Sequence, residues 1–318
     1  MKPAKISTLA ICPPGLPAAA MLDKLRPWAD LTVTADAATV ASAAADAEVI
    51  LYSGLAGATP PFAAVWPHTG RRLRWVHSFE AGVDRLLIPE LAAGNVAVSN
   101  AKGVYAEPLA EFTVFAILYF YKQGRRLVEQ QRAHRWEQFE VESPRGKVLA
   151  IVGYGGIGRC CARAARKLGM RIEPISRQDT AAPARFHARL AAADVVLAAA
   201  PLTPQTRRLL DAAAFSAMKP SALVVNAGRG PVIDETALIA ALRAGRIAGA
   251  ALDVFEHEPL PADHPYWSMD NVLLSPHCTD RTVEPHWTAL GMRCFLQNFR
   301  RYRNGEPLLT PVDKAAGY

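Results

Sequence analysis

Two α/β domains, each a doubly wound parallel sheet, are expected from three features of the sequence. Short β-rich runs alternate twice with Ala-rich helical stretches along the 318 residues, the pattern of a parallel sheet with helices on both faces. The apolar run Val148–Val152 leads into glycines at 153, 155 and 158 and then an amphipathic segment, Arg159–Leu168. Lastly, Arg229, Glu258 and His277 each follow closely on an apolar run. A guanidinium, a carboxylate and an imidazole thus leave the carboxyl ends of strands, where open α/β sheets bind ligands.

In the first alternation the expected strands are Lys5–Ile11, Leu31–Thr34, Val49–Tyr52, Trp75–Ser78 and Val96–Ser99, separated by Pro/Gly turns. The segment Ala106–Gln123 reads as a helix whose middle, Phe112–Tyr121, is apolar on every face, so burial all round is expected. It suits a crossing between domains, a face covered by a second subunit, or a plain core helix. The second alternation predicts strands at Val148–Val152, Arg171–Ile175, Val195–Ala199, Ala222–Val225, Gly249–Leu252 and Val272–Leu274. A closing helix around Trp287–Arg303 precedes the C-terminal tail.

Composition excludes several classes. With 51% hydrophobic and 20% charged residues the chain is globular in type, and no apolar run reaches the roughly 18 residues of a membrane span. Lysines ahead of the apolar Ile6–Cys12 faintly imitate a signal peptide, but Pro13 and Pro14 cut that run short, so a strand and turn are expected. Five cysteines, two adjacent at Cys160 and Cys161, form no disulfide framework and point to a reducing cytoplasm. The net charge of +7 suits anionic ligands such as a phosphorylated cofactor or a carboxylate. The clusters Arg71–Arg72–Arg74 and Arg300–Arg301–Arg303 read as solvated surface, and no nucleic-acid motif accompanies them. Nothing in the pattern calls for a metal.

The glycines form G-x-G-x-x-G between a strand and a helix, a Rossmann-type dinucleotide fingerprint in its required context. Gly153 serves the tight turn, Gly155 the close approach of backbone to pyrophosphate, and Gly158 helix–strand packing. Gly156 and Ile157 open the helix, whose unpaired N–H groups and dipole favour phosphate. At the end of the next strand an acidic residue would bond the ribose 2′-OH of NAD. Here stand Ser176 and Arg177, which suit the 2′-phosphate of NADP. Asp179 is the rival that keeps NAD open, and Arg177 as mere surface charge is the plainer alternative.

The run Asn226–Glu235, the segment Gly249–Pro261 and the triplet Ser275-Pro276-His277 closely resemble the D-isomer-specific 2-hydroxyacid dehydrogenase family. Ala81-Gly82-Val83-Asp84 and Gly305-Glu306-Pro307-Leu308 extend the resemblance over nearly the whole chain. It implies a Rossmann-type cofactor domain, 101–286, inserted into a flavodoxin-like substrate domain made of 1–100 and 287–318. It also implies an NADP- or NAD-dependent enzyme, expected to be a homodimer, that interconverts a small 2-oxo acid and its D-2-hydroxy acid. Glyoxylate and hydroxypyruvate lead as substrates. A phosphite-type or phosphoglycerate dehydrogenase relative, or a non-catalytic dinucleotide-sensing module of corepressor type, are the alternatives. No regulatory domain is read after the closing helix, which weighs against phosphoglycerate.

By resemblance, Arg229 would bind the substrate carboxylate and 2-oxo group, His277 would donate the proton and Glu258 would hold it. Elementary chemistry agrees. A ketone receiving hydride becomes an alkoxide that needs a proton, and histidine is the natural donor near neutrality. A carboxylate in reach fixes its tautomer, and arginine's rigid fork matches a carboxylate bidentately. Glu256 competes with Glu258, and His257, like most of the eight histidines, is expected to face solvent. Ala227 and Gly228 are expected to bind the cofactor, Thr279 to lie on its nicotinamide side, and Asp253 to be a partner for the nicotinamide amide. Val104, Pro201, Leu202, Thr203 and Thr206 fall where the family lines the cofactor groove. Leu55 and Ala56, with Glu80, Ala81 and Gly82, fall in the loops that present backbone N–H groups to substrate. Glu80 departs from the small residue usual there and is expected to turn outward. Cys278-Thr279-Asp280-Arg281 departs from the small residues that commonly follow the histidine.

Overall fold

The computed structural model describes residues 4–13, 15–54, 58–283 and 286–318. The chain divides into two compact units, Met1–Tyr105 with Arg281–Tyr318, and Ala106–Asp280. The division falls at Tyr105/Ala106 and Asp280/Arg281, a few residues from the 100/101 and 286/287 expected from the sequence. No helix among the described residues is long and apolar enough to cross a membrane.

The first unit holds strands β1 (Ile6–Ile11), β2 (Ala29–Thr34), β3 (Val49–Tyr52), β4 (Trp75–Ser78) and β5 (Ala97–Asn100). They pair in parallel in the order β2-β1-β3-β4-β5, the flavodoxin-like order with its switch point between β1 and β3. Successive residues of one strand point to opposite faces, and both faces are apolar. Leu9, Ile11, Ile50 and Tyr52 join Phe62, Leu91 and Val98 on one side. Ala10, Cys12, Val49 and Leu51 join Leu22, Phe295 and Phe299 on the other. That second face needs helix Trp287–Arg303 for its cover, with Trp75 and Phe295 stacked at 5.5 Å. Burial of this kind is worth roughly 1.5–3 kcal/mol per large side chain, which ties the C-terminal segment to a sheet made by the first hundred residues.

The second unit holds β6 (Val148–Val152), β7 (Arg171–Ile175), β8 (Val195–Ala198), β9 (Leu223–Asn226), β10 (Gly249–Leu252) and β11 (Val272–Leu274). All pairs are parallel, in the order β11-β10-β9-β8-β6-β7. The sheet winds outward from β6 in both directions, so its switch point lies between β6 and β8. The edge beyond β7 has one strand fewer than the six-stranded 3-2-1-4-5-6 order of dinucleotide folds; helices Arg177–Thr180 and Pro183–Ala192 follow β7 instead. The element positions agree closely with the sequence expectation because the central strands are buried on both faces and read as continuous apolar runs.

Of the three readings of helix Ala106–Tyr121, its exposure contradicts the plain core helix, because within the chain it is not buried all round. It packs its Ala110, Ala116 and Ile117 side with Cys161, Ala162 and Ala165 of helix Gly156–Lys167, but Phe115 is 54% exposed. Helix Gly156–Lys167 covers the side that carries Ala110, Ala116 and Ile117, and the side that carries Phe115 stays open among the described residues.

Candidate active site

The glycine turn sits at the switch point of the second unit. Gly153 has φ +96°, and a Cβ there would lie 2.5–2.7 Å from the backbone of Ala199 and Ala200 in the loop after β8. A Cβ on Gly158 would lie 2.4 Å from Gly153 O. Gly155 differs: among the described residues, nothing beyond its chain neighbours lies within 4 Å of its would-be Cβ, so the turn leaves open space on that side. Gly155 is also the N-cap of helix Gly156–Lys167, with no side-chain cap bond, and Gly156 and Ile157 begin that helix. Two tight glycines and one open one beside an uncapped helix N-terminus fit a bound pyrophosphate.

At the end of β7, Ser176 caps helix Arg177–Thr180 in a reciprocal box with Asp179. Ser176 Oγ donates to Asp179 Oδ2 (2.5 Å), and Arg185 and Arg189 pair with Asp179 Oδ1 at 2.7 and 3.1 Å. The Ser176 hydrogen bonds hold the Asp179 carboxyl below the usual range, and the residue is buried. Asp179 is thus turned into the protein, whereas Arg177 is exposed.

In the loop after β8, Thr203 N donates to Thr206 Oγ1 (2.8 Å), which itself donates to Pro201 O (2.6 Å). Leu202 packs against the core from this loop. Val104 lies in the turn that ends the first unit, its N–H bonded to Ala101 O.

Arg229 leaves β9 through Ala227 and Gly228. Buried Asn226 holds this turn, accepting from Gly228 N (3.1 Å) and donating to Arg229 O (3.1 Å). Sequence reading gave Asn226 no role; an Asx residue at a strand end before small residues was the available signal. Gly230 packs so closely that a Cβ would lie 2.0 Å from Phe255 O. The turn carrying Arg229 therefore rests directly on the segment leading to Glu258.

Glu258 Oε1 accepts from Phe255 N (3.1 Å), and Oε2 lies 2.7 Å from His277 Nδ1. Glu256 is engaged elsewhere, 3.7–3.8 Å from Arg208 and Arg207, which separates it from Glu258. His277 has φ +50°, a left-handed backbone uncommon for a residue with a side chain. Buried Asp253 fixes the chain just beyond it: its carboxylate accepts from Cys278 N (3.1 Å) and Thr279 Oγ1 (2.6 Å). Sequence reading had assigned Asp253 and Thr279 only to the nicotinamide; their bond to each other shapes the histidine loop. The register sets Asn226 beside Leu252 and Leu252 beside Leu274. The strands preceding Arg229 and His277 are thus two places apart on one sheet edge, about 10 Å.

In the first unit Leu55 and Ala56 lie outside the described residues. Glu80, Ala81 and Gly82 follow β4, with Asn100 Nδ2 bonded to Ala81 O (2.6 Å) and Ser78 Oγ to Gly82 O (3.4 Å). Glu80 does not turn outward as expected. Both its oxygens lie 3.0 Å from Gly54 N, because the paired ends of β3 and β4 bring that amide within reach. Of the histidines, His68, His134 and His257 are exposed, but His77 is fully buried between Trp75 and Phe295.

A glycine-cradled helix N-terminus, with an imidazole–carboxylate pair on the same sheet, defines a dinucleotide-dependent oxidoreductase. Residues 114–279, more than half of the chain, match the NAD-binding domain of the D-isomer specific 2-hydroxyacid dehydrogenases. The chain belongs to that family and is an NAD(P)-dependent oxidoreductase. It is 36% identical to a glyoxylate reductase of Thermofilum pendens over 67% of each chain. To a glyoxylate/hydroxypyruvate reductase B of Citrobacter koseri it is 37% identical, over 68% of this chain and 71% of the relative. Among solved structures it resembles a D-isomer specific 2-hydroxyacid dehydrogenase from Xanthobacter autotrophicus Py2, in complex with NADPH and MES. The TM-score is 0.83 at 27% identity, covering 99% of this chain and all of that one.

Proposed function

We propose that this protein reduces glyoxylate or hydroxypyruvate to the D-2-hydroxy acid with NADPH, as a cytoplasmic homodimer. The observation that carries the chemistry is the 2.7 Å contact between His277 Nδ1 and Glu258. With a carboxylate as acceptor, Nδ1 carries a proton and donates it to Glu258, so Nε2 is the atom left for substrate. A dinucleotide held at the glycine turn of Gly153, Gly155 and Gly158 would supply the hydride for the 2-oxo carbon. His277 Nε2–H then hands its proton to the developing alkoxide while Glu258 stabilises the imidazolium, a contribution of about 10²–10⁴ in rate. Arg229 holds the substrate carboxylate and polarises the 2-oxo group.

NADPH over NADH is supported by Asp179, which is turned inward and paired with Arg185 and Arg189, beside exposed Arg177. The Xanthobacter structure also holds NADPH. The names of the relatives support 2-oxo acid reduction over the phosphite, phosphoglycerate and corepressor-like readings. Homodimerisation is supported by an apolar stretch of the second unit: Phe115, Leu127, Val128, Trp136 and Val141 are 43–95% exposed, more than a monomer of this size usually leaves in one segment. Five free cysteines are consistent with a reducing compartment.

The test is cofactor oxidation with a panel of 2-oxo acids, run with NADPH and NADH, for wild type and Arg177→Ala. Turnover of glyoxylate or hydroxypyruvate with NADPH preferred, and a preference reduced about tenfold or more by the substitution, is expected. Absence of turnover rejects the catalytic reading; an unchanged preference rejects only the cofactor assignment. Sedimentation of wild type and Trp136→Glu reads the dimer.

A further inference from the structure

Asp179 commits both of its carboxylate oxygens to the protein itself. Oδ2 accepts from Ser176 N at 2.8 Å and from Ser176 Oγ at 2.5 Å. Oδ1 lies 2.7 Å from Arg185 Nε and accepts from Arg189 Nε at 3.1 Å. An ionised carboxylate has about four lone-pair sites, and these bonds fill them. Arg185 and Arg189 stand one turn apart on helix Pro183–Ala192, so one face of that helix delivers both guanidiniums to the same oxygen. Arg189 also pairs through Nη1 with Glu173 on β7, which ties the helix to the sheet edge. Within this cluster the Arg185 and Arg189 charges balance those of Asp179 and Glu173, and exposed Arg177 supplies the excess positive charge.

We propose that Arg185 and Arg189 are positioning residues for cofactor choice, which saturate and neutralise Asp179 so that the end of β7 admits a 2′-phosphate. The inference rests on the NADPH reading and adds what enforces it. An acid at this strand end with a free oxygen bonds the 2′-OH of NAD, and its uncompensated charge repels the phosphate of NADP. With Oδ1 filled by two guanidiniums, Asp179 is compensated at hydrogen-bond range. Arg177 is then the group whose charge a phosphate meets. The box with Ser176 holds Oδ2 independently of the arginines, so their removal uncovers the charge without releasing the residue. The arginines thus act on the cofactor through Asp179.

The experiment measures binding rather than turnover. NADPH and NADH are titrated by fluorescence, and adenosine 2′,5′-bisphosphate is compared with adenosine 5′-monophosphate to isolate the 2′-phosphate. The proteins are wild type, Arg185→Ala, Arg185→Ala with Arg189→Met, and that pair combined with Asp179→Asn. Methionine keeps the apolar stem of Arg189, and asparagine keeps an oxygen for the Ser176 bonds. The NADPH-over-NADH preference is expected to fall about tenfold or more in the double variant, with the same loss in the adenosine pair. Adding Asp179→Asn is expected to recover most of it, because the offending charge is then gone. Arg185→Ala alone, at a side chain 60% exposed and so without cost to folding, is expected to move the preference several-fold in the same direction. A preference unchanged within twofold overturns the inference. So does a loss that Asp179→Asn does not reduce, which would make the arginines direct phosphate ligands. Wild-type protein that binds NADH as tightly as NADPH overturns the NADPH reading instead.

Discussion

His277 Nδ1 stands 2.7 Å from Glu258 Oε2, and the other oxygen of that carboxylate accepts from Phe255 N. Glu258 therefore joins the histidine to the backbone of its own loop, and a change at 258 alters both orientation and charge. Glu258→Gln should lower kcat about 10²-fold with little change in cofactor affinity, and His277→Ala about 10²–10⁴-fold. Steady-state kinetics with a 2-oxo acid, and fluorescence titration with NADPH, measure the two quantities. Full activity in His277→Ala would remove the imidazole from the mechanism.

Gly155 and Gly230 separate a ligand-facing glycine from a packed one. Among the described residues, a methyl at Gly155 meets nothing beyond its chain neighbours within 4 Å, so Gly155→Ala should leave the thermal midpoint nearly unchanged while raising KM for NADPH tenfold or more. A methyl at Gly230 would lie 2.0 Å from Phe255 O, which nothing rigid can absorb. Gly230→Ala should cost about 3 kcal/mol or more and displace both Arg229 and the Glu258 segment. Thermal unfolding alongside kinetics distinguishes them; equal losses of stability would refute the contrast.

His77 makes stability depend on pH. Its ring is fully buried, with Nδ1 2.7 Å from Ser99 Oγ and Nε2 without a hydrogen-bond partner among the described residues. Burial pushes its pKa down to about 3, from an ordinary 6.5. The unfolded chain therefore binds the proton more readily, so this contribution is complete above pH 6.5 and is lost as pH falls towards 3. The loss is about 1.4 kcal/mol per pH unit. Urea unfolding at pH 7.5 and 5.0 should show a smaller difference for His77→Phe than for wild type. Parallel slopes in the two proteins would dismiss the effect.

Thiol reactivity should be confined to one position. Burial pushes the Cys12 and Cys161 thiols up to about 11 and raises that of Cys294, and Cys160 is also buried. Cys278, next to His277, is exposed. Native protein should thus give one fast-reacting thiol with an aromatic disulfide reagent, absent in Cys278→Ser. Two or more fast thiols in the folded protein would contradict the burial.

The sequence by itself determined the two sheets, their strands and the placing of Arg229, Glu258 and His277 after strand ends. Central strands buried on both faces, such as Val49–Tyr52 and Val195–Ala198, must be apolar throughout, and the glycines at 153 and 158 are required by backbone contacts of 2.4–2.7 Å that admit no side chain. Arg229, Glu258 and His277 were legible because each follows a strand end, and strand ends in a parallel sheet share one edge. Tertiary structure decided what no local pattern encodes. It chose Glu258 over Glu256 by giving the latter to Arg207 and Arg208. It turned Asp179 inward and Glu80 onto the Gly54 amide, buried His77 and opened one side of the helix Ala106–Tyr121. For the three carboxylates the reason is common: a charged side chain takes its partner from whatever the fold brings within about 4 Å, and that neighbour is often distant in sequence.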